Sequence, residues 1–156
     1  MTPAAAAAMV GLMGLFNGLG RIGWSSLSDH IGRHNTFNSF FVIQMLAFLL
    51  LPNITNPYLF QIIIFLIITC YGGGFSTLPA FVGDIFGTKH LGAIYGYILT
   101  AWAAAGIVGP MFVSLVKEMT KSYTGTLYVF SALFVAALVI SWFMKISITP
   151  QSYLQA

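Results

Sequence analysis

The sequence predicts an all-α membrane protein of five transmembrane helices, and three observations carry that expectation. Apolar residues make up 58% of the 156-residue chain and charged residues only 6%, with a mean hydropathy of +0.91, whereas a soluble domain carries roughly 25% charged residues. Nearly the whole chain divides into runs of about 20 predominantly apolar residues, the length that crosses a ~30 Å hydrocarbon core. The runs are separated only by SDHIGRHN, PNITNP, GDIFGTKH and KEMTKS, short enough to force neighbouring helices antiparallel. Spanning strands would need only about 9–11 residues and strict alternation, which these runs lack.

The first helix, expected over residues 3–28, begins almost at Met1 without a basic stretch or a small-residue cleavage site, so it reads as a span and not a signal peptide. Gly11, Gly14 and Gly18 share one face, and Gly20 and Gly23 follow. Small residues let helices approach closely in lipid, either as static packing or as surfaces that move during a conformational cycle. Arg21 lies eight residues before Asp29, about 12 Å inside the polar loop and near mid-depth of the core. Two readings stay open for it. Its side chain snorkels to the interface, or it faces a polar cavity and holds an anionic substrate, its planar fork matching a carboxylate bidentately.

The loop that follows contains Asp29, Gly32 and Arg33. Gly32 permits a tight reversal, and the two charges can pair with each other or with helix ends, which makes the trio a candidate conformational gate. His30 and His34 flank the turn without a nearby Cys or second carboxylate, so no metal site is expected there. The second helix, residues 37–51, is the shortest.

The third helix, residues 58–81, contains Cys70, a small packing residue with no disulfide partner in the chain. Gly72, Gly73 and Gly74, followed by Pro79, suggest a bend or hinge. Beyond it, Asp84, Lys89 and His90 are expected to solvate a helix end, with pairing across to the first loop as the alternative.

The fourth helix, residues 91–116, holds Gly92, Gly96, Gly106 and Gly109 before Pro110, of which Gly96, Gly109 and Pro110 join Gly18, Gly73 and Pro79 as hinge or packing candidates. It also holds Tyr95, Tyr97, Thr100 and Trp102. Aromatic residues in such helices serve mostly as belt or packing groups, but Thr100 and Trp102 lie well inside the run. Thr100 and Trp102 are therefore candidates for lining a cavity, and Tyr95 and Trp102 are the substrate-binding candidates of this helix. The fifth helix is expected over residues 123–144. Arg33, Lys89 and Lys145 on one side, against Lys117 and Lys121 on the other, place the loops at 29–35 and 84–90 in the cytoplasm and the C-terminus inside.

The net charge of +3 is scattered, with no basic cluster to follow a phosphate backbone, so nucleic acid is not an expected partner. No nucleophile, base and orienting group recur at a usable spacing, so neither an enzyme nor a cofactor is expected.

NGLGRIGWSSLSDHIGRHNTF resembles the loop signature of the major facilitator superfamily, and YGGGFSTLPAFVGDIFGTKHLGAIYGYILTAWAAAGIVGP resembles its oxalate:formate antiporter family. The resemblance covers essentially the whole chain and corresponds to the last five of twelve helices, a partial C-terminal domain. It implies secondary active transport by alternating access, as antiporter or symporter, in a bacterial plasma membrane, with the loop as a gate. The motif falls on Asp29, Gly32 and Arg33, and Ser25 stands where the family has glycine four residues before the aspartate. Arg21 corresponds to a carboxylate-binding arginine. Oxalate carriers would add a lysine in the fourth helix; residues 91–116 hold none, and Trp102 stands at the corresponding place. One cation suits a monocarboxylate better than a dicarboxylate. The expected partners are the lipid bilayer, a small organic anion, and further helices from an N-terminal portion or another chain. A membrane interaction protein without transport, or an inert truncation product, is the alternative.

Overall fold

The computed structural model describes residues 3–152, and side chains over 7–144. Five helices follow one another: α1 Pro3–Ile31, α2 Arg33–Leu50, α3 Pro57–Phe86, α4 Leu91–Thr120 and α5 Thr124–Ser152, with a 3-10 turn at Leu51–Asn53 after α2. The all-α membrane architecture is as expected. Four helices are long and apolar enough to cross a membrane: α2 with its 3-10 turn, α3, α4 and α5. Among the described residues α1 falls outside that group. Its 29 residues are long enough, but Asn17, Arg21, Ser25, Ser26, Ser28 and Asp29 dilute its C-terminal half.

Local chemistry sets the helix ends. Asn56 caps α3, its Oδ1 accepting from the amides of Tyr58 at 2.9 Å and Leu59 at 3.4 Å, while Pro57 fills the first turn, where no amide donor is needed. Gly87, at φ 75°, closes the same helix through a 2.9 Å bond from its amide to the Gly83 carbonyl. Lys121 ends α4 at φ 55°, a left-handed position held by a non-glycine residue. The eight-residue polar stretch SDHIGRHN shrinks to one non-helical residue, Gly32, because α1 continues through Asp29 and α2 begins at Arg33. Helix continues through this stretch, so polar residues that read as loop are helix ends.

Helix α1 packs most extensively on α3, and α2 on α5. The α1–α3 seam depends on glycine. A Cβ at Gly20 would overlap the Thr69 main chain, one at Gly72 the Asn17 main-chain oxygen, and one at Gly73 would stand 2.6 Å from the Trp24 Cβ. Close backbone approach of this kind is how helices associate in lipid, where burial of apolar surface gives no driving force. Phe16 stacks on Phe65 at 4.5 Å, and Ser25 donates to Ser76 Oγ at 2.7 Å. Between α2 and α5, Phe48 stacks on Phe134 at 5.8 Å, and Ser131 donates to the Met45 carbonyl at 3.0 Å.

Gly73 thus sits in a tight helix contact, and Gly18 does not. A Cβ at Gly11, Gly14, Gly18, Gly74, Gly96 or Gly109 would meet nothing within 4 Å. Within this chain, close packing expected at Gly18 falls on Gly20 instead, because the face turned to α3 is the one that carries Asn17, Gly20 and Trp24. Gly96 and Gly109 lie on α4, which has no buried residue. Helix α3 is continuous through Gly72–Gly74 and Pro79, and α4 through Pro110.

Candidate functional site

The residues singled out above fall into two groups, one clustered and one dispersed. The first joins the ends of three helices. Arg33 opens α2, and its Nη1 lies 2.6 Å from Asp29 Oδ1 of α1 and donates to Ser28 Oγ at 3.1 Å. Its Nε lies 3.5 Å from Asp84 Oδ2, near the end of α3. The arginine side chain is only 25% exposed, against 61% for each carboxylate, so a largely covered cation is bracketed by two solvated anions. Gly32 makes this possible. At φ 86° and ψ 147° it turns the chain in one residue, through backbone that side chains rarely adopt. The buried Thr36 hydroxyl caps the reversal by donating to the Gly32 carbonyl at 3.0 Å.

Of the second polar group, Asp84 stays solvated near its helix end and also pairs across to Arg33. Lys89 and His90 form no ion pair with that cluster among the described residues. His30 and His34 engage their own helices: His30 Nδ1 lies 2.8 Å from the Ser26 carbonyl, and His34 Nε2 lies 3.1 Å from Asn38 Nδ2.

The second group is dispersed. Arg21 is exposed on α1, its Nε donating to Asn17 Oδ1 at 3.3 Å. No carboxylate lies within ion-pair distance of it among the described residues. Trp102 of α4 donates from Nε1 to the Tyr71 hydroxyl of α3 at 3.1 Å and sits edge-on to Phe75, with ring centroids 5.4 Å apart. These three rings line part of a cavity of about 210 Å³ between α2, α3 and α4, together with Phe40, Gln44 and Cys70. Neither Arg21 nor Tyr95 lines it. Tyr95 is half-buried on α4, and the Thr100 hydroxyl donates to the Tyr97 carbonyl at 2.7 Å. The structure therefore does not gather Arg21, Tyr95 and Trp102 around one space.

Sequence reasoning missed Asn17 and Tyr71 as polar partners. Asn17 was findable, since it is polar, sits in an apolar run and lies one helical turn before Arg21. Tyr71 gave no local signal, because its partner is on another helix.

Over 102 residues, 64% of this chain and 24% of that protein, the chain is 33% identical to the oxalate:formate antiporter of Oxalobacter formigenes. It is 29% identical to monocarboxylate transporter 14 of Mus musculus over 94 residues, 60% of this chain and 18% of that one. It is 27% identical to apicoplast pyruvate carrier 1 of Toxoplasma gondii over 93 residues, 58% of this chain and 17% of that one. The matched stretch thus spans a quarter or less of the length of each relative. No solved structure is a significant match. The profile of the Major Facilitator Superfamily matches residues 1–153, and with its helical, multi-pass membrane character the chain belongs to that superfamily.

Proposed function

We propose that these residues form part of a secondary active transporter of a small organic anion, a monocarboxylate more readily than oxalate, working by alternating access. The observation that carries the reading is Arg21: a cation on an exposed helix face, bonded to a neutral amide and lacking a carboxylate partner among the described residues. An uncompensated charge near mid-membrane costs at least ~2.5 kcal/mol, and an anionic substrate offsets that cost when it binds. The relatives, an oxalate:formate antiporter, a monocarboxylate transporter and a pyruvate carrier, support the same chemical class. Tyr95 and Trp102 act as neutral lining on this reading.

Asp29, Gly32 and Arg33, with Asp84, serve as the gate, on the cytoplasmic side of a bacterial plasma membrane, with the C-terminus also inside. The helices that complete the transport path come from a further portion of the polypeptide or from another chain. The test is Arg21→Gln in the complete transporter, reconstituted in liposomes, with equilibrium binding of labelled formate, pyruvate and oxalate. Loss of binding in a correctly inserted protein is expected; unchanged binding would leave Arg21 as a snorkelling side chain and remove the main support for an anion.

A further inference from the structure

A guanidinium can meet a carboxylate along two edges: side-on, through Nε and one Nη, or end-on, through both Nη groups. In this chain the first edge is occupied. Arg21 Nε donates to Asn17 Oδ1, 3.3 Å away on the preceding turn of α1. We propose that Asn17 is a positioning residue for Arg21, holding Nε so that a carboxylate is met end-on by the two Nη groups. The proposal rests on the reading of Arg21 as the anion ligand.

Helix α3 fixes both residues from behind. The Asn17 main-chain oxygen lies against Gly72 so closely that a Cβ there would overlap it, and Asn17 Oδ1 would stand only 3.1 Å from that Cβ. The Arg21 main-chain oxygen accepts from Ser76 Oγ at 3.0 Å. With the backbone of both residues pinned, what remains free at Arg21 is the rotation of a long side chain, and the bond at Nε limits that. A preoriented fork loses less conformational freedom when it binds.

The choice of amide over acid is the second argument. A carboxylate at position 17 would also accept from Nε, but it would cancel the arginine charge and compete with the incoming anion. The carboxamide orients without neutralising. It also relieves its own cost, since a polar side chain in an apolar run is expensive unless it is hydrogen-bonded. End-on engagement uses the two oxygens of a single carboxylate and brings the anion in along the axis of the arginine side chain.

The experiment is a double-mutant cycle in the complete transporter in detergent, with equilibrium binding of labelled formate, pyruvate and oxalate. Asn17→Ala should weaken binding about 10-fold when Arg21 is present, and less than about 2-fold in an Arg21→Lys background, because a lysine ammonium has no fork to orient. Asn17→Asp keeps the side-chain shape against Gly72 and should weaken binding more than Asn17→Ala. If Asn17→Ala fails to fold or Arg21→Lys binds too weakly to titrate, Asn17→Leu decides: it is close in shape but cannot accept from Nε, so about 10-fold weaker binding is expected and parental binding would overturn the proposal. Equal losses in both backgrounds, or an Asn17→Asp protein that binds like the parent, would make Asn17 a packing residue and overturn the proposal. In that case loss of binding in Arg21→Gln would still leave Arg21 as the ligand. No binding of any probe by the parent protein, or undiminished binding in Arg21→Gln, would overturn both readings.

Discussion

Two glycines on α3, two residues apart, should respond to the same substitution with opposite sign. Gly72→Ala places a methyl group onto the Asn17 main-chain oxygen, with the carbonyl carbon behind it at 3.0 Å. Neither atom belongs to a flexible side chain, so α1 and α3 must separate. Overpacking of this kind costs about 1–3 kcal/mol, and separation also weakens the Ser25–Ser76 bond at 2.7 Å and the Phe16–Phe65 stack at 4.5 Å. The gain from replacing a helical glycine by alanine is about 1 kcal/mol, so the net expectation is a loss of up to about 2 kcal/mol. At Gly74 the new methyl meets nothing within 4 Å, and the same propensity term should appear unopposed as a gain of about 0.5–1 kcal/mol. The assay is reversible unfolding in mixed micelles, with helicity and tryptophan fluorescence followed together. If the two alanine variants shift the midpoint equally, the glycine seam is not what holds α1 to α3.

Gly32→Ala should destabilise by about 1–3 kcal/mol in the same assay, because its φ of 86° suits glycine almost alone; a shift below about 0.5 kcal/mol would mean that the chain can turn here in another way. Asp84→Asn should cost no more than about 1 kcal/mol of stability, given its 61% exposure, while changing transport rate more than equilibrium binding; an affinity loss beyond a few fold would count against a gate. Single cysteines at Lys89 and Asn53, in a protein carrying Cys70→Ala, should react with an impermeant reagent from the cytoplasm and from outside respectively; the reverse pattern would invert the topology.

Much of this architecture is legible from composition, because in lipid the length of an apolar run is itself a structural measurement. Helix ends are less legible. The largely polar stretch Asp29 to Asn35 looks like a loop, yet all of it except Gly32 is helical, since a helix that emerges from a bilayer is free to be polar all round. Faces are harder still. The spacing of Gly11, Gly14 and Gly18 is as good a stripe as Gly20 could join, and only the position of α3 decides that Gly20 makes the contact. The Arg33–Asp84 pair joins residues 51 apart in the chain, and no periodicity encodes such a meeting. Asn17 with Arg21 is the opposite case, a local pair one turn apart that charge patterning contains.

The point where α1 crosses α3 has a mechanical consequence. With main chain against main chain at Gly20 and Gly72, the crossing acts as a fulcrum, and the arm from Gly20 to Gly32 is 12 residues, about 18 Å long. A tilt of about 5° about that point would displace the far end by about 1.6 Å while leaving the glycine contacts almost unmoved. That displacement is enough to part Arg33 from Asp84, which begin 3.5 Å apart. It has no such leverage on Asp29, which rides on the same arm four residues before Arg33. One carboxylate thus registers the angle between two helices, and the other travels with the arginine and holds it through the swing.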